Sequence, residues 1–315
     1  MENQIDFLQR LKPVMALKIL AYLDDSADLI RASAVSRHWQ NIVVSNGLSK
    51  QLCITKFPQL ASITRVDEAS HDNSEPSHNS GEREHRAYAS LFRALIVFPL
   101  TSCIAAPVSA SSTDNYPHES IMTTLDPGDK ILQQASYWSS TGSDDSETPE
   151  TLIYKLTSNL CVITEINLHP FQAYFQLDFP IYSSKYVRFR MGHPKSWKEL
   201  DHDFMEAQEC ADDKFIWTYT SPIFPVAREN RLQRFKLPEP AVCIGGFLQI
   251  EFVAHVQAIG RQLSPAFRVE FSEPSNSVSL KYNADEFGFR MRNVSRGHAS
   301  SLAPLVDKFS TTTIS

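Results

Sequence analysis

The amino-acid sequence predicts an α+β multidomain chain: a small N-terminal all-α bundle followed by an antiparallel β-sandwich. Three observations carry that reading. Residues 1–60 space their apolar side chains as a helix does and hold a single glycine, Gly47. Residues 66–86, VDEASHDNSEPSHNSGEREHR, contain almost no large apolar side chain. Beyond Ser102 the apolar period becomes two, which puts alternate residues on one face of a strand. The length of 315 residues suits about two domains of ~150 each.

Met15, Ile19, Leu20 and Leu23 recur at helical spacing and form one apolar stripe. Asp24 and Asp25 interrupt it, and Asp25 or Ser26 can cap a second helix with Asp28 in its first turn, where negative charge meets the positive helix end. Ser36 can cap a third, whose Trp39, Ile42 and Val43 share a face, and Asn46-Gly47 stops it. A short fourth segment ends before Pro58. Helices this short bury little surface and are marginal alone, so the unit at 1–60 is expected to gain stability from a partner.

The run at 61–87 is expected to be a flexible polar linker, since it cannot offset its ordering entropy by burial. The second domain is expected over 88–282, entered by a short helix through Tyr88, Leu91, Phe92 and Leu95. Strands are predicted where alternation is clear, at 171–179, 187–191 and 247–257, and further at 151–156, 160–168, 214–220, 231–237, 266–271 and 278–282. Many strands with polar turns imply a sandwich or barrel. Residues 283–315, Ser/Thr-rich at their end, are expected to be a partly disordered extension.

Composition narrows the function. A net charge of −6 opposes non-specific nucleic-acid binding, which needs a basic surface. Cys53, Cys103, Cys161, Cys210 and Cys243 are odd in number and include no CxxC pair, which suits buried thiols in a reducing compartment better than disulfides or zinc. The start MENQIDFLQRLKP lacks a secretory pattern. The uncharged stretch 94–110 holds Pro99 and Pro107 and falls short of a membrane span, so it is expected to be a helix end running into a strand. No membrane, nucleic-acid or cofactor partner is expected.

The residues LKPVMALKILAYLDDSADLIRASAVSRHWQNIV resemble the F-box. Leu11, Lys18, Ile19, Leu20, Leu23, Asp24, Asp28, Leu29, Val35, Ser36, Arg37 and Trp39 match its pattern in order. The resemblance implies binding of a Skp-type adaptor and, through it, a cullin-RING ligase, in the cytoplasm, the nucleus or both. It names Pro13, Ile19, Leu20, Leu23, Leu29 and Val35 as adaptor contacts or their support. Lys12 separates Leu11 from Pro13 and Val14 replaces the family's acidic residue, both at the adaptor-facing edge, where affinity would be lowered. From Ser109, SASSTDNYPHESIMTTLDPGDKI and then YWSSTG resemble the galactose-binding-like, discoidin-like jelly roll. The whole architecture resembles a plant F-box group that carries the run ETLIYKL…PFQAYFQ…PIYSSKYVRFRMGHP.

Sites are weighed against plainer readings. The acidic loop 141–147 can offer oxygens to a hard cation but lacks a fixed ligand spacing, and a solvated loop explains it as well. His202, Asp203 and Glu206 lack the further ligand that a transition metal needs. No nucleophile elbow, Cys–His signature or phosphate loop is found, so no catalytic residue and no metal site is assigned and the chain is expected not to be an enzyme. Tyr137, Trp138, Arg188, Arg190, His193 and Trp197 can line a substrate surface, or the tryptophans are core and the arginines ordinary surface. Two functions follow: a receptor recruiting a protein substrate, glycosylated or not, or a carbohydrate-binding module with a helical cap unlinked to ubiquitination. The second, if hydrolytic, needs two carboxylates across a groove.

Overall fold

Pro13 opens the first helix at its first position, where a missing N–H costs nothing and the fixed φ is already helical. The computed structural model describes residues 6–68, 80–125, 130–131, 134–142, 149–197, 211–252, 256–272 and 277–297. After a 3-10 turn at Phe7–Arg10 come α1 (Pro13–Ala21), α2 (Ser26–Ser33), α3 (Arg37–Ser45) and α4 (Leu48–Lys56). Their starts and stops follow the local chemistry. Asp25 accepts from Ala27 N at 2.9 Å to cap α2, Ser36 Oγ accepts from Trp39 N at 3.3 Å to cap α3, and Gly47 turns the chain into α4 at φ 59°. Leu8, Ala16, Leu20, Leu29, Val43 and Leu48 form their shared core.

Next come β1 (Ile63–Glu68) and α5 (Ser80–Val97). The chain continues through β2 (Thr101–Ser102), β3 (Ile104–Ala110), the pair β4 (Lys130–Ile131) and β5 (Gln134–Ala135), β6 (Thr151–Leu156), β7 (Leu160–Leu168), β8 (Phe171–Gln172), β9 (Ile181–Tyr182) and β10 (Tyr186–Pro194). Then follow α6 (Ala211–Lys214), β11 (Phe215–Thr220), β12 (Phe224–Pro225), β13 (Gln233–Ile244), β14 (Phe247–Glu251) and β15 (Val256–Gln262). It closes with β16 (Phe267–Ser272), β17 (Ser277–Tyr282) and α7 (Ala284–Gly297).

These elements form two units, Met1–Pro99 with Leu263–Val294, and Leu100–Gln262. In the second, one sheet runs β11-β10-β14-β6-β3 with β12 beside β10, and the other runs β13-β7-β15-β2. All pairings in both are antiparallel. Leu152, Tyr154, Phe189 and Ile250 of the first sheet share one buried cluster with Ile163, Ile166, Phe235 and Cys243 of the second, which makes the unit a sandwich. Gly245 and Gly246, at φ 109° and 77°, form the two-residue turn from β13 to β14, where only positive φ matches the strand twist. Cys53, Cys103, Cys161 and Cys243 are buried thiols. Among the described residues no helix is long and apolar enough to cross a membrane.

The unit boundaries differ from the expected 1–60, 61–87 and 88–282. Part of the expected linker is structured: β1 lies parallel to β17, with Ile63 opposite Val278 and Val66 opposite Leu280. Helix α5 starts at Ser80 and packs on the N-terminal helices. Its polar start meets polar partners: Glu82 accepts from Gln40 Nε2 at 2.8 Å, Glu84 pairs with Lys50 at 3.2 Å, and Cys53 Sγ donates to Tyr88 O at 3.2 Å. The helical unit is therefore larger than residues 1–60, and part of the missing support comes from within the chain. The expected extension at 283–315 also begins as a helix. Asn283 accepts from the N–H groups of Asp285 and Glu286, both at 3.1 Å, and Phe287 of α7 packs on Phe98, Phe267 and Tyr282.

Two strand expectations also change. The alternating segment 171–179 leaves its ladder after Gln172 and becomes a loop: Phe171 and Gln172 pair with Tyr182 and Ile181, and Ala173 N makes one last bond, to Pro180 O at 2.9 Å. The segment 247–257 is interrupted at Phe252, whose φ is 72°.

Two outcomes follow. Leu280 is fully buried in β17, so Leu280→Ala should cost about 2–5 kcal/mol and lower the urea midpoint of the helical signal at 222 nm. His85 shares a buried 2.8 Å hydrogen bond with Ser49 Oγ. Burial first, then the charge of Arg86, push its pKa below the ordinary value, with Glu82 opposing. The folded unit thus keeps His85 neutral while the unfolded chain protonates more readily. Stability should be full above about pH 6.5 and fall as pH drops below it. Denaturation midpoints across that range should show a flatter slope for His85→Gln.

Candidate functional site

Two surfaces bear on function, one in each unit. The first lies on the N-terminal helices. Helix α1, PVMALKILA, is apolar nearly all round, with Lys18 its one charge. Such a helix needs cover on both faces. Ala16 and Leu20 take the inner face, Leu20 at 2% exposure. Met15, Ile19 and Tyr22, at i, i+4 and i+7, share the outer face and stay 50%, 41% and 86% exposed. Val14 and Val35 are exposed too.

The six expected adaptor residues accordingly divide. Leu20, Leu23 and Leu29 line a cleft of about 260 Å³ beside Leu48 and Leu52. Pro13, Ile19 and Val35 are exposed and do not line it. Met15 belonged to the expected stripe, but Tyr22 was missed as a surface residue. The signal for both was the near-absence of polar residues around α1.

The second surface is a cavity of about 760 Å³ in the sandwich unit. Tyr137 and Trp138 line it, as do Glu119, Glu150, Phe171 and Tyr182. Its rim is fixed by hydrogen bonds. Trp138 Nε1 donates to Ser112 O at 2.8 Å, and Tyr137 OH and Ser139 Oγ each donate to a different oxygen of Glu119 at 2.6 Å. Ser112 Oγ donates to Glu150 Oε2 at 2.9 Å, and Ser111 Oγ donates to the same oxygen. The Ala-Ser-Ser segment singled out in the sequence thus holds both the tryptophan and a carboxylate. Tyr137 stacks on Phe171 at 3.6 Å with 20° between the rings, and Phe171 stacks on Tyr182 at 6.4 Å and 14°. Burial and then Glu119 hold the Tyr137 hydroxyl well above its ordinary pKa, so it stays a donor.

The loop after Phe171 projects apolar side chains. Tyr174, Phe175 and Phe179 are exposed and Leu177 is 91% exposed. Asp178 and Phe179 sit at φ 65° and 46°, rare for a bulky residue. Phe179 N donates to Gln176 O at 3.2 Å, and Asn230 Nδ2 donates to Tyr174 OH at 2.7 Å, which steadies the turn.

The other four residues of the expected substrate surface do not line this cavity. Arg188 and Arg190 lie on β10 opposite Glu251 and Gln249 of β14. Arg188 makes a two-pronged bond to Glu251, Nη2 to Oε1 at 3.0 Å and Nε to Oε2, and Arg190 Nε lies 3.6 Å from Glu251 Oε1. His193 is buried with Nδ1 2.9 Å from Pro194 O, and Trp197 packs on Phe247 at 6.2 Å. These side chains are engaged within the sheet. Among the described residues no group of three His, Cys, Asp or Glu is placed to hold a metal ion. Residues 143–147 of the acidic loop, and His202, Asp203 and Glu206, lie outside the described residues.

Comparison with known proteins adds identity to this geometry. Residues 13–55 match the F-box-like family model. An F-box protein of Arabidopsis thaliana is 44% identical over 308 residues, spanning 88% of this chain and 82% of the relative. A family 32 carbohydrate-binding module from C. perfringens NanJ, solved with galactose, aligns with 51% of this chain and 93% of its own at 10% identity and a TM-score of 0.31. Allantoicase from Saccharomyces cerevisiae aligns with 57% of this chain and 54% of its own at 12% identity and a TM-score of 0.36. Those two structural likenesses are too distant to carry a function.

The Glu251 side chain is 4% exposed, so Glu251→Ala leaves two arginines without their carboxylate. It should cost the sandwich about 3 kcal/mol in urea denaturation, more than Arg188→Ala, which leaves Glu251 beside Arg190.

Proposed function

Because the chain belongs to the F-box protein family, we propose that it is the substrate-receptor subunit of a Skp-cullin-F-box ubiquitin ligase. Its helical unit holds a Skp-type adaptor, and its sandwich recruits the protein to be modified. The observation that carries this reading is the outer face of α1. Met15, Ile19 and Tyr22 keep an apolar stripe in water, and Val35 is exposed too, although α1 already buries its other side. A contiguous apolar face on an otherwise well-packed unit marks a protein-binding surface. The adaptor covers Met15, Ile19, Val35 and Pro13 directly, while Leu20, Leu23 and Leu29 shape the helices from beneath.

Under this reading the chain is a non-catalytic subunit that works in the cytosol, the nucleus or both. Lys12 and Val14 replace the expected pattern at the edge of α1. Lys12 precedes the helix as its N-cap and is exposed, so its amine can meet the adaptor's side of the contact.

The test separates surface from core. The variant Met15→Asp with Ile19→Asp should lose capture of a recombinant Skp-type adaptor in a pull-down, about a hundredfold or more in Kd, with an unchanged thermal midpoint. Leu20→Asp should lose capture together with the fold, because a buried carboxylate has no partner there. Undiminished capture by the Met15/Ile19 variant overturns the assignment.

A further inference from the structure

The cavity of the sandwich unit is acidic and aromatic at once. Asp114, Glu119 and Glu150 line it, and among the described residues no lysine, arginine or histidine does. None of the three carboxylates has a cationic partner among the described residues. Among the described residues the Glu119 and Glu150 carboxylates accept hydrogen bonds only from neutral hydroxyls, so no described cation offsets their negative charge. These acids do not converge as metal ligands. The aromatic part of the lining is flat and adjoins Glu119 through Tyr137. Phe171 and Tyr182 lie nearly parallel, and Phe175 stands at 6.2 Å and 34° to Phe171 with its own ring exposed.

A planar cation suits both the acids and the rings. A guanidinium stacks on aromatic faces and forks onto carboxylates, whereas an ammonium offers only a point charge. The volume of about 760 Å³ exceeds one side chain and accepts a short segment around it. Leu177 and Phe179 on the adjoining loop offer apolar contacts for that segment's neighbouring residues. A neutral sugar would use the rings and leave the charge uncompensated. We propose that this cavity is the client-recognition site and that it takes an exposed peptide segment bearing an arginine, held between Tyr182, Phe175 and the carboxylates of Glu119 and Glu150. The identity of the ligand as a client protein rests on the receptor reading above.

The test uses the full chain and a random heptapeptide display library. Selected peptides should share an arginine. Replacing it by lysine should weaken binding about tenfold and by glutamate should abolish it, and added salt should weaken binding. Glu150→Gln keeps the one acceptor oxygen that Ser111 and Ser112 share, and together with Glu119→Gln should lose affinity about tenfold or more. Tyr182→Ala, at the exposed rim, should do the same without touching those bonds. A consensus without a basic residue, unchanged affinity in both variants, or saturable binding of galactose or N-acetylgalactosamine in place of peptides overturns the inference. Adaptor capture by the same protein is measured in parallel. Capture without arginine selection refutes the cavity assignment alone, and arginine selection without capture refutes the receptor reading alone.

Discussion

Strand β1 has no neighbour in its own part of the chain. One side of its backbone pairs with β17, whose register sets Ile63 opposite Val278. That parallel pairing joins the helices at the front of the sequence to β16 and α7 at its end, and Tyr282 OH, donating to Ser90 Oγ at 3.0 Å, extends the link to α5. The sandwich is consequently an insertion, since the chain leaves the helical unit after Pro99 and re-enters it at Leu263. Helix α5 packs on the front helices and on β1, and the outer face of α1 stays exposed.

Much of this was readable from the residues. Caps at Asp25 and Ser36, the stop at Gly47 and strands such as β6, β7 and β10 follow from local chemistry, and local chemistry is what periodicity reports. What escaped was non-local. A six-residue strand whose partner lies at the far end of the chain has no local signature. The start of α5 looked like solvent-loving linker because its acids face Gln40 and Lys50. The loop after Phe171 misled in the opposite direction: its alternation is genuine, but the rings face a cavity and water instead of a sheet.

The site residues show the same division. The adaptor set was named from a pattern, and packing sorts it into Leu20 and Leu29, which hold the helices together, and Ile19 and Val35, which reach solvent. Of the six sandwich residues, only Tyr137 and Trp138 reach the cavity. Arg188 and Arg190 suggested recognition by their chemistry, and Glu251 on the next strand answers it within the protein. Glu119 escaped notice because nothing near it in sequence marks a turn residue as the acceptor for both Tyr137 and Ser139. A carboxylate fixed in this way presents its charge at a set position, which a loose surface acid does not.

The insertion also sets an order of events at the ribosome. The front helices emerge first, yet β17 and α7 emerge only after the whole sandwich has been made. Contacts of such long sequence separation form late. A nascent chain that has not yet reached β17 and α7 therefore carries a front unit without its β1 partner.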